Sequence, residues 1–168
     1  MFCFCCATGF AVSAVDMAAA QSILTRIMHQ TLEKYFGFTR FLDGQEEVVG
    51  QILSGADLCV IMPTGAGKSL CYQLPILMRP GYGLVVSPLI SLMKDQVDSL
   101  TERGMPAACV NSSIPPQEQE RVLRDTARGA IRILYVAPER FKSGEFRQFV
   151  TSNPPSMVVV DEAHCISL

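Results

Sequence analysis

Five short apolar runs, separated by stretches of helical character, constrain this chain more than any other feature. They lie at 58–62, at LVVS (84–87), AACV (107–110), IRILYVA (131–137) and MVVVD (157–161). Runs of four to six aliphatic residues without polar alternation predict strands covered on both faces. Helices are expected between them at about 68–77, 89–102, 116–128 and, briefly, 145–150. Strands alternating with helices make βαβ units, so the sequence predicts an α/β fold of three layers with a mostly parallel sheet.

Ahead of the first run, Ile23, Leu24, Ile27, Met28, Leu32 and Phe36 recur at three- and four-residue steps. That spacing predicts an amphipathic helix over 17–36, ended by Gly37, and 45–53 reads as a second helix closed by SGAD. Residues 1–16 are apolar up to Val15 with no basic residue before the run, unlike a secretory signal, and are too short to span a bilayer. Cys3, Cys5 and Cys6 have no second Cys/His pair at usable spacing to complete a metal site. The expected division is therefore an adventitious or frayed leader at 1–16, N-terminal helices at 17–56, and the main α/β unit at 57–168.

At 168 residues and 49% hydrophobic, with mean hydropathy +0.27, the chain can bury one substantial core. Fourteen basic against sixteen acidic residues leave a net charge of −2, so no global positive field advertises nucleic acid and any such contact must be local. Seven cysteines, an odd count at irregular spacing, suit buried thiols in a reducing compartment better than a disulfide scaffold.

Chemistry concentrates at two strand ends. In VIMPTGAGKSLCYQ (60–73), Thr64, Gly65, Ala66 and Gly67 allow backbone N–H groups to converge on an anion where a helix begins. Lys68 supplies a mobile charge for phosphates, and Ser69 offers a hydroxyl to Mg²⁺. The strict G-x-x-x-x-G-K-[ST] pattern fails only at its first position, where Met62 stands. The second end is MVVVDEAH. Ligands of open α/β sheets gather beyond the carboxyl ends of strands, so Asp161 is placed to reach the same Mg²⁺ and Glu162 to orient and deprotonate an attacking water.

Together, PTGAGKS and DEAH resemble motifs I and II of the superfamily 2 helicases, P-loop NTPases with RecA-like domains. FGFTRFLDGQ (36–45), VVSPLISLMKDQ (85–96), VNSS (110–113), LYVAPER (134–140) and DEAHCIS (161–167) extend this to a resemblance to the RecQ family of DNA helicases over about 24–168. The resemblance implies ATP and Mg²⁺ as cofactors, with DNA as partner, single-stranded or as duplex with a single-stranded tail. It implies 3'-to-5' unwinding, no membrane, and a cytoplasmic address in a bacterium or a nuclear one in a eukaryote. Phe38 matches an aromatic that stacks on adenine, and Gln45 a glutamine that reads the adenine edge. Ser87, Pro88 and Lys94 match a DNA-phosphate track, continued by Asn111, Ser112 and Ser113 and by Pro138, Glu139 and Arg140. For Lys94 a solvated helix face is an equal alternative.

One departure stands out, since Leu42 and Asp43 occupy positions where the family carries arginine and proline. Weaker adenine binding is the expectation. Family members add a second RecA-like domain that supplies an arginine finger, and a coupling loop begins beyond CIS. The strand after the DEAH strand normally inserts between it and the phosphate-loop strand. The chain is therefore expected to be an incomplete motor domain that does not unwind DNA alone, with a gap in its sheet. Two other readings remain, a DEAH/DEAD-type RNA helicase and a non-catalytic nucleotide-binding fragment. A P-loop kinase leaves DEAHCIS and the glutamine motif without a job.

Overall fold

The computed structural model describes residues 14–63 and 65–163, with side chains from residue 19 onward. Two helices, α1 (Ala14–Phe36) and α2 (Gln45–Leu53), precede α3 (Lys68–Met78). Then follow β1 (Gly83–Val86), α4 (Ile90–Glu102), β2 (Ala107–Val110), α5 (Pro116–Ala127), β3 (Ile133–Val136), a 3₁₀ turn (Pro138–Lys142), α6 (Gly144–Ser152) and β4 (Met157–Val160). All pairings are parallel, in the order β2-β3-β1-β4. Gly83 is aligned with Ile133 on one side and Met157 on the other.

The pleat sends alternate residues of each strand into different cores. Val85, Tyr135 and Val159 face Leu32 of α1, Val49 and Ile52 of α2, Leu74 of α3 and Met93 of α4. Leu84, Val86, Leu134 and Val136 face Val122 of α5 and Phe146 of α6. Because both faces are covered, β1 and β3 are buried at every position, as their unbroken apolar runs require. This is the expected three-layer α/β architecture.

The C-terminal end of α3 is closed by guanidinium groups, which supply donors to carbonyls that have no partner within the helix. Arg132, just before β3, donates to the carbonyls of Ile76 (3.2 Å) and Leu77 (3.4 Å) and also to that of Arg79. Arg79 in turn donates to the carbonyls of Ile52 and Ser156.

Helix α1 begins at Ala14, three residues before the expected start; residues 1–13, including Cys3, Cys5 and Cys6, lie outside the described residues. One expectation is corrected: 58–62 is not a buried strand. It has no ladder partner among the described residues, and Ile61 is 82% exposed. An apolar run becomes a strand only beside another strand that completes its hydrogen bonds, and β4, the edge of the sheet, pairs with β1 alone. The run instead borders an open cavity of about 880 Å³ with Phe41, Leu42 and Val48.

This correction reaches the cysteines. Cys71, on α3, is fully buried and its thiol is pushed up to about 11 by that burial, whereas Cys59 in the unpaired run is exposed. Cys109 is half-buried, with its thiol also raised by burial. Thiolate is the reactive form. Alkylation of the native chain at neutral pH, read by peptide mass spectrometry, should therefore mark Cys59 well before Cys71, which reacts only after denaturation. Equal labelling of the two would contradict the packing of α3.

Candidate active site

The chain enters α3 through two left-handed residues, Gly65 (φ 84°) and Gly67 (φ 69°). Only glycine takes such backbone without penalty. Ala66 N–H donates to the Pro63 carbonyl at 3.2 Å, tightening the turn. The N-cap, Gly67, has no side chain to cap α3, and no acidic residue lies in the helix's first turn. Among the described residues its amide end, the positive end of the helix dipole, faces the turn without a capping side chain.

Across from it, β4 delivers Asp161, whose N–H donates to the Val86 carbonyl at 2.8 Å and carries the ladder one residue past the strand. The next residue, Glu162, adopts φ 49°. For a non-glycine side chain that conformation is uncommon and is characteristic of functional turns. It sets the two carboxylates apart: Asp161 is buried, while Glu162 extends to 3.9 Å from the Lys68 ammonium, each about one-fifth exposed.

Asp161 is held closely. Its Oδ1 accepts from the Glu162 N–H at 2.9 Å and its Oδ2 from the Tyr72 hydroxyl at 3.4 Å. Burial nevertheless raises its carboxyl above the usual range, with the Glu162 charge adding to the effect. A buried carboxylate left costly in this way is relieved by a nearby cation. The oxygen donors at hand, the Asp161 carboxylate and the Ser69 hydroxyl, suit a hard divalent ion such as magnesium.

Gln45 is 3% exposed and nearly saturated. Its Oε1 accepts from the Leu42 N–H at 2.9 Å, and its Nε2 donates to the carbonyls of Ala66 (3.2 Å) and Gly67 (3.1 Å). It thus clasps the glycine turn, with both amide protons spent there. A Cβ on Gly67 would sit 2.6 Å from that Nε2, so the clasp itself requires glycine. Phe38, 51% exposed, borders a cavity of about 380 Å³ with Arg40, Leu42, Gly67 and Gln96. Such a volume is in the range of small-molecule sites.

The remaining sequence-predicted residues share the carboxyl edge of the sheet: Ser87 and Pro88 after β1, Asn111 and Ser112 after β2, and Pro138, Glu139 and Arg140 after β3. They differ in accessibility. Lys94, Ser112 and Glu139 are exposed, and Pro138 and Arg140 are half-buried. Ser87 is 1% exposed and its hydroxyl has no hydrogen-bond partner among the described residues, while the Arg140 Nε is likewise buried without one there. Asn111 is also buried, its Oδ1 accepting from the Ser113 N–H at 2.9 Å to close the turn. Thr64 and the HCIS segment (164–167) lie outside the described residues.

Sequence reasoning missed the polar side chains behind the carboxylate. Tyr72, Gln73 and Tyr135 are all buried, and Gln96 joins them from α4. The available signal was Tyr72 and Gln73 in the midst of an otherwise apolar helix, LCYQLPI.

The family model described as DEAD/DEAH box helicase matches residues 42–168. The chain is 46% identical over 136 residues to the ATP-dependent DNA helicase RecQ of Haemophilus influenzae, covering 81% of this chain and 22% of that protein. It is 48% identical over 141 residues to the probable ATP-dependent DNA helicase RecS of Bacillus subtilis, covering 83% and 28%. With the ATP-dependent DNA helicase Q5 of Mus musculus it shares 45% over 150 residues, covering 84% and 15%. The chain thus spans less than a third of each of these relatives.

Proposed function

Because the chain belongs to the DEAD/DEAH box helicase family, on its RecQ branch, we propose that it is the ATP-binding part of the first motor domain of a 3'-to-5' DNA helicase. Coupled to a second RecA-like domain, it would use ATP hydrolysis to unwind DNA. The observation that carries this reading is the meeting of Lys68 and Glu162 at 3.9 Å, with Asp161 buried beside them. A phosphate-binding cation and the carboxylates of a hydrolytic site belong at one place in such an ATPase.

The geometry supports one set of roles. Amides of the Gly65–Gly67 turn and the first turn of α3 take phosphate oxygens, and Lys68 neutralises their charge. Ser69 and Asp161, the latter through a water, would hold magnesium, which would supply charge neutralisation for the phosphates. Glu162 orients the attacking water and accepts its proton. Lys68 and Glu162 meet at 3.9 Å, so a phosphate held by Lys68 lies within reach of the water that Glu162 orients.

Phe38 stacks on the base. Gln45 serves the adenine edge only after exchanging a bond now given to the glycine turn, which ties base recognition to the shape of the phosphate loop. A single-stranded DNA track runs past Pro88, Lys94, Ser112 and Pro138–Arg140. Ser87 and Asn111 contribute to it through their backbone, since their side chains are buried.

Titration with a fluorescent ATP analogue and Mg²⁺, with competition by ATP and GTP, tests the reading. Saturable binding displaced by ATP supports it; no binding overturns it. In the same assay Leu42→Arg should tighten affinity severalfold, because residue 42 is exposed at the mouth of the cavity where a cation can reach the nucleotide. An unchanged affinity would remove the importance given to Leu42. In a longer chain with the second RecA-like domain, single-stranded DNA should stimulate hydrolysis more than RNA of the same sequence. The opposite preference would move the reading to an RNA helicase.

A further inference from the structure

Between α3, β3 and α4 runs a line of buried polar side chains that ends at Asp161. Gln73 Nε2 donates to Gln96 Oε1 at 2.8 Å and to the Tyr135 hydroxyl at 3.0 Å. The Tyr135 and Tyr72 hydroxyls are 3.4 Å apart, and Tyr72 donates to Asp161 Oδ2 at 3.4 Å. Tyr72 and Tyr135 are at most 1% exposed, so water does not compete for these groups.

The protons in this line can be counted. The Gln73 carboxamide nitrogen only donates, so the Tyr135 oxygen receives there and must spend its own proton elsewhere. The neighbouring acceptor is the Tyr72 oxygen. Tyr72, having received a bond, gives its single proton to the Asp161 carboxylate. The outcome is a phenol that fixes one oxygen of the Asp161 carboxylate, with its orientation dictated from α4 through Gln73.

We propose that Tyr72 is a positioning residue for magnesium, its phenol fixing the orientation of the Asp161 carboxylate. This rests on the reading of Ser69 and Asp161 as the magnesium ligands. Partners that orient metal ligands typically carry 10- to 100-fold in metal affinity. Tyr135 and Gln73 act one step further back, by setting the direction of the Tyr72 proton.

The test separates metal from nucleotide. Affinity for a fluorescent ATP analogue is measured in EDTA and then across a magnesium titration, for wild type and Tyr72→Phe, which removes one oxygen and keeps the ring. The expected result is magnesium affinity lowered about tenfold with the EDTA affinity within twofold of wild type. Unchanged magnesium affinity, or equal loss in both conditions, would overturn the proposal, since a merely structural tyrosine does the latter. If Tyr72→Phe does not melt cooperatively, Tyr135→Phe carries the same test by withdrawing the donor that commits the Tyr72 proton. Its magnesium affinity should also fall with the EDTA affinity kept, and a wild-type value overturns the proposal. A wild-type chain that binds nucleotide without any magnesium dependence fails differently, because it removes the assignment of Ser69 and Asp161 and this inference with it.

Discussion

A non-hydrolysable ATP analogue with magnesium, at about 100 times its Kd, should stabilise the 168-residue chain by roughly 2.7 kcal/mol. For a chain of this size that is a rise of about 5–10 °C in Tm. Lys68→Ala should abolish the rise while leaving the unliganded Tm close to wild type. The second half follows from the site: the Lys68–Glu162 pair is 3.9 Å long and partly solvated, so its loss costs little before ligand arrives. The first half follows because the other phosphate-binding groups are neutral amide dipoles, and no other cation is drawn to the turn by an ion pair among the described residues. A nucleotide-dependent rise that survives Lys68→Ala would mean that the phosphates bind elsewhere. A chain with no cooperative melt at all would instead point to the unpaired 58–62 segment and the open edge of β4 as the weakness.

The second large effect lies outside the site. Gly83 opens β1 directly beneath α3, and a Cβ built there would stand 2.3 Å from the Ile76 side chain. Ile76 is fully buried, and Gly83 is pinned by its N–H bond to the Arg132 carbonyl at 2.9 Å, so neither partner can step aside. Overpacking of this kind typically costs about 1–3 kcal/mol, and Gly83→Ala belongs at the upper end. Gly83→Val adds two more methyl groups to the same space and should leave little folded protein, given total stabilities of about 5–15 kcal/mol. Urea unfolding would measure it. The cause is checked by a double variant: Ile76→Ala should be less costly, or even favourable, in the Gly83→Ala background, because the collision it relieves is present only there. Simple additivity of the two substitutions would mean that Gly83 matters for another reason.

Much of this fold was legible in the sequence, and the failures share a cause. Helix α2 falls at Gln45–Leu53 as its pattern indicates, because local periodicity and the SGAD stop determine it. The run at 58–62 has equally strong strand character, but a strand needs a neighbour, and that information lies elsewhere in the chain. The active-site residues were legible as residue types at strand ends. Their accessibility was not: Ser87, Asn111 and Gln45 read as contact residues, whereas the structure commits their side chains to the interior. The 3₁₀ turn at Pro138–Lys142 was missed because APER has no apolar period to announce it. Tyr72 was passed over for the reason it is interesting, since a tyrosine in an apolar helix reads as packing until its hydroxyl is seen to reach a carboxylate.

The strand order has a bearing on how the chain is made. Both partners of β1, namely β3 and β4, are later in the sequence, while β2, the next strand to be synthesised, joins the sheet only through β3. As the polypeptide leaves the ribosome, β1 and β2 therefore emerge with nothing to pair with, and no ladder can begin until Ile133–Val136 arrives. Assembly by such non-local pairing is slow, and it leaves the apolar first strands uncovered during the delay. The third strand, rather than the first, is the keystone whose appearance commits the nascent chain to its fold.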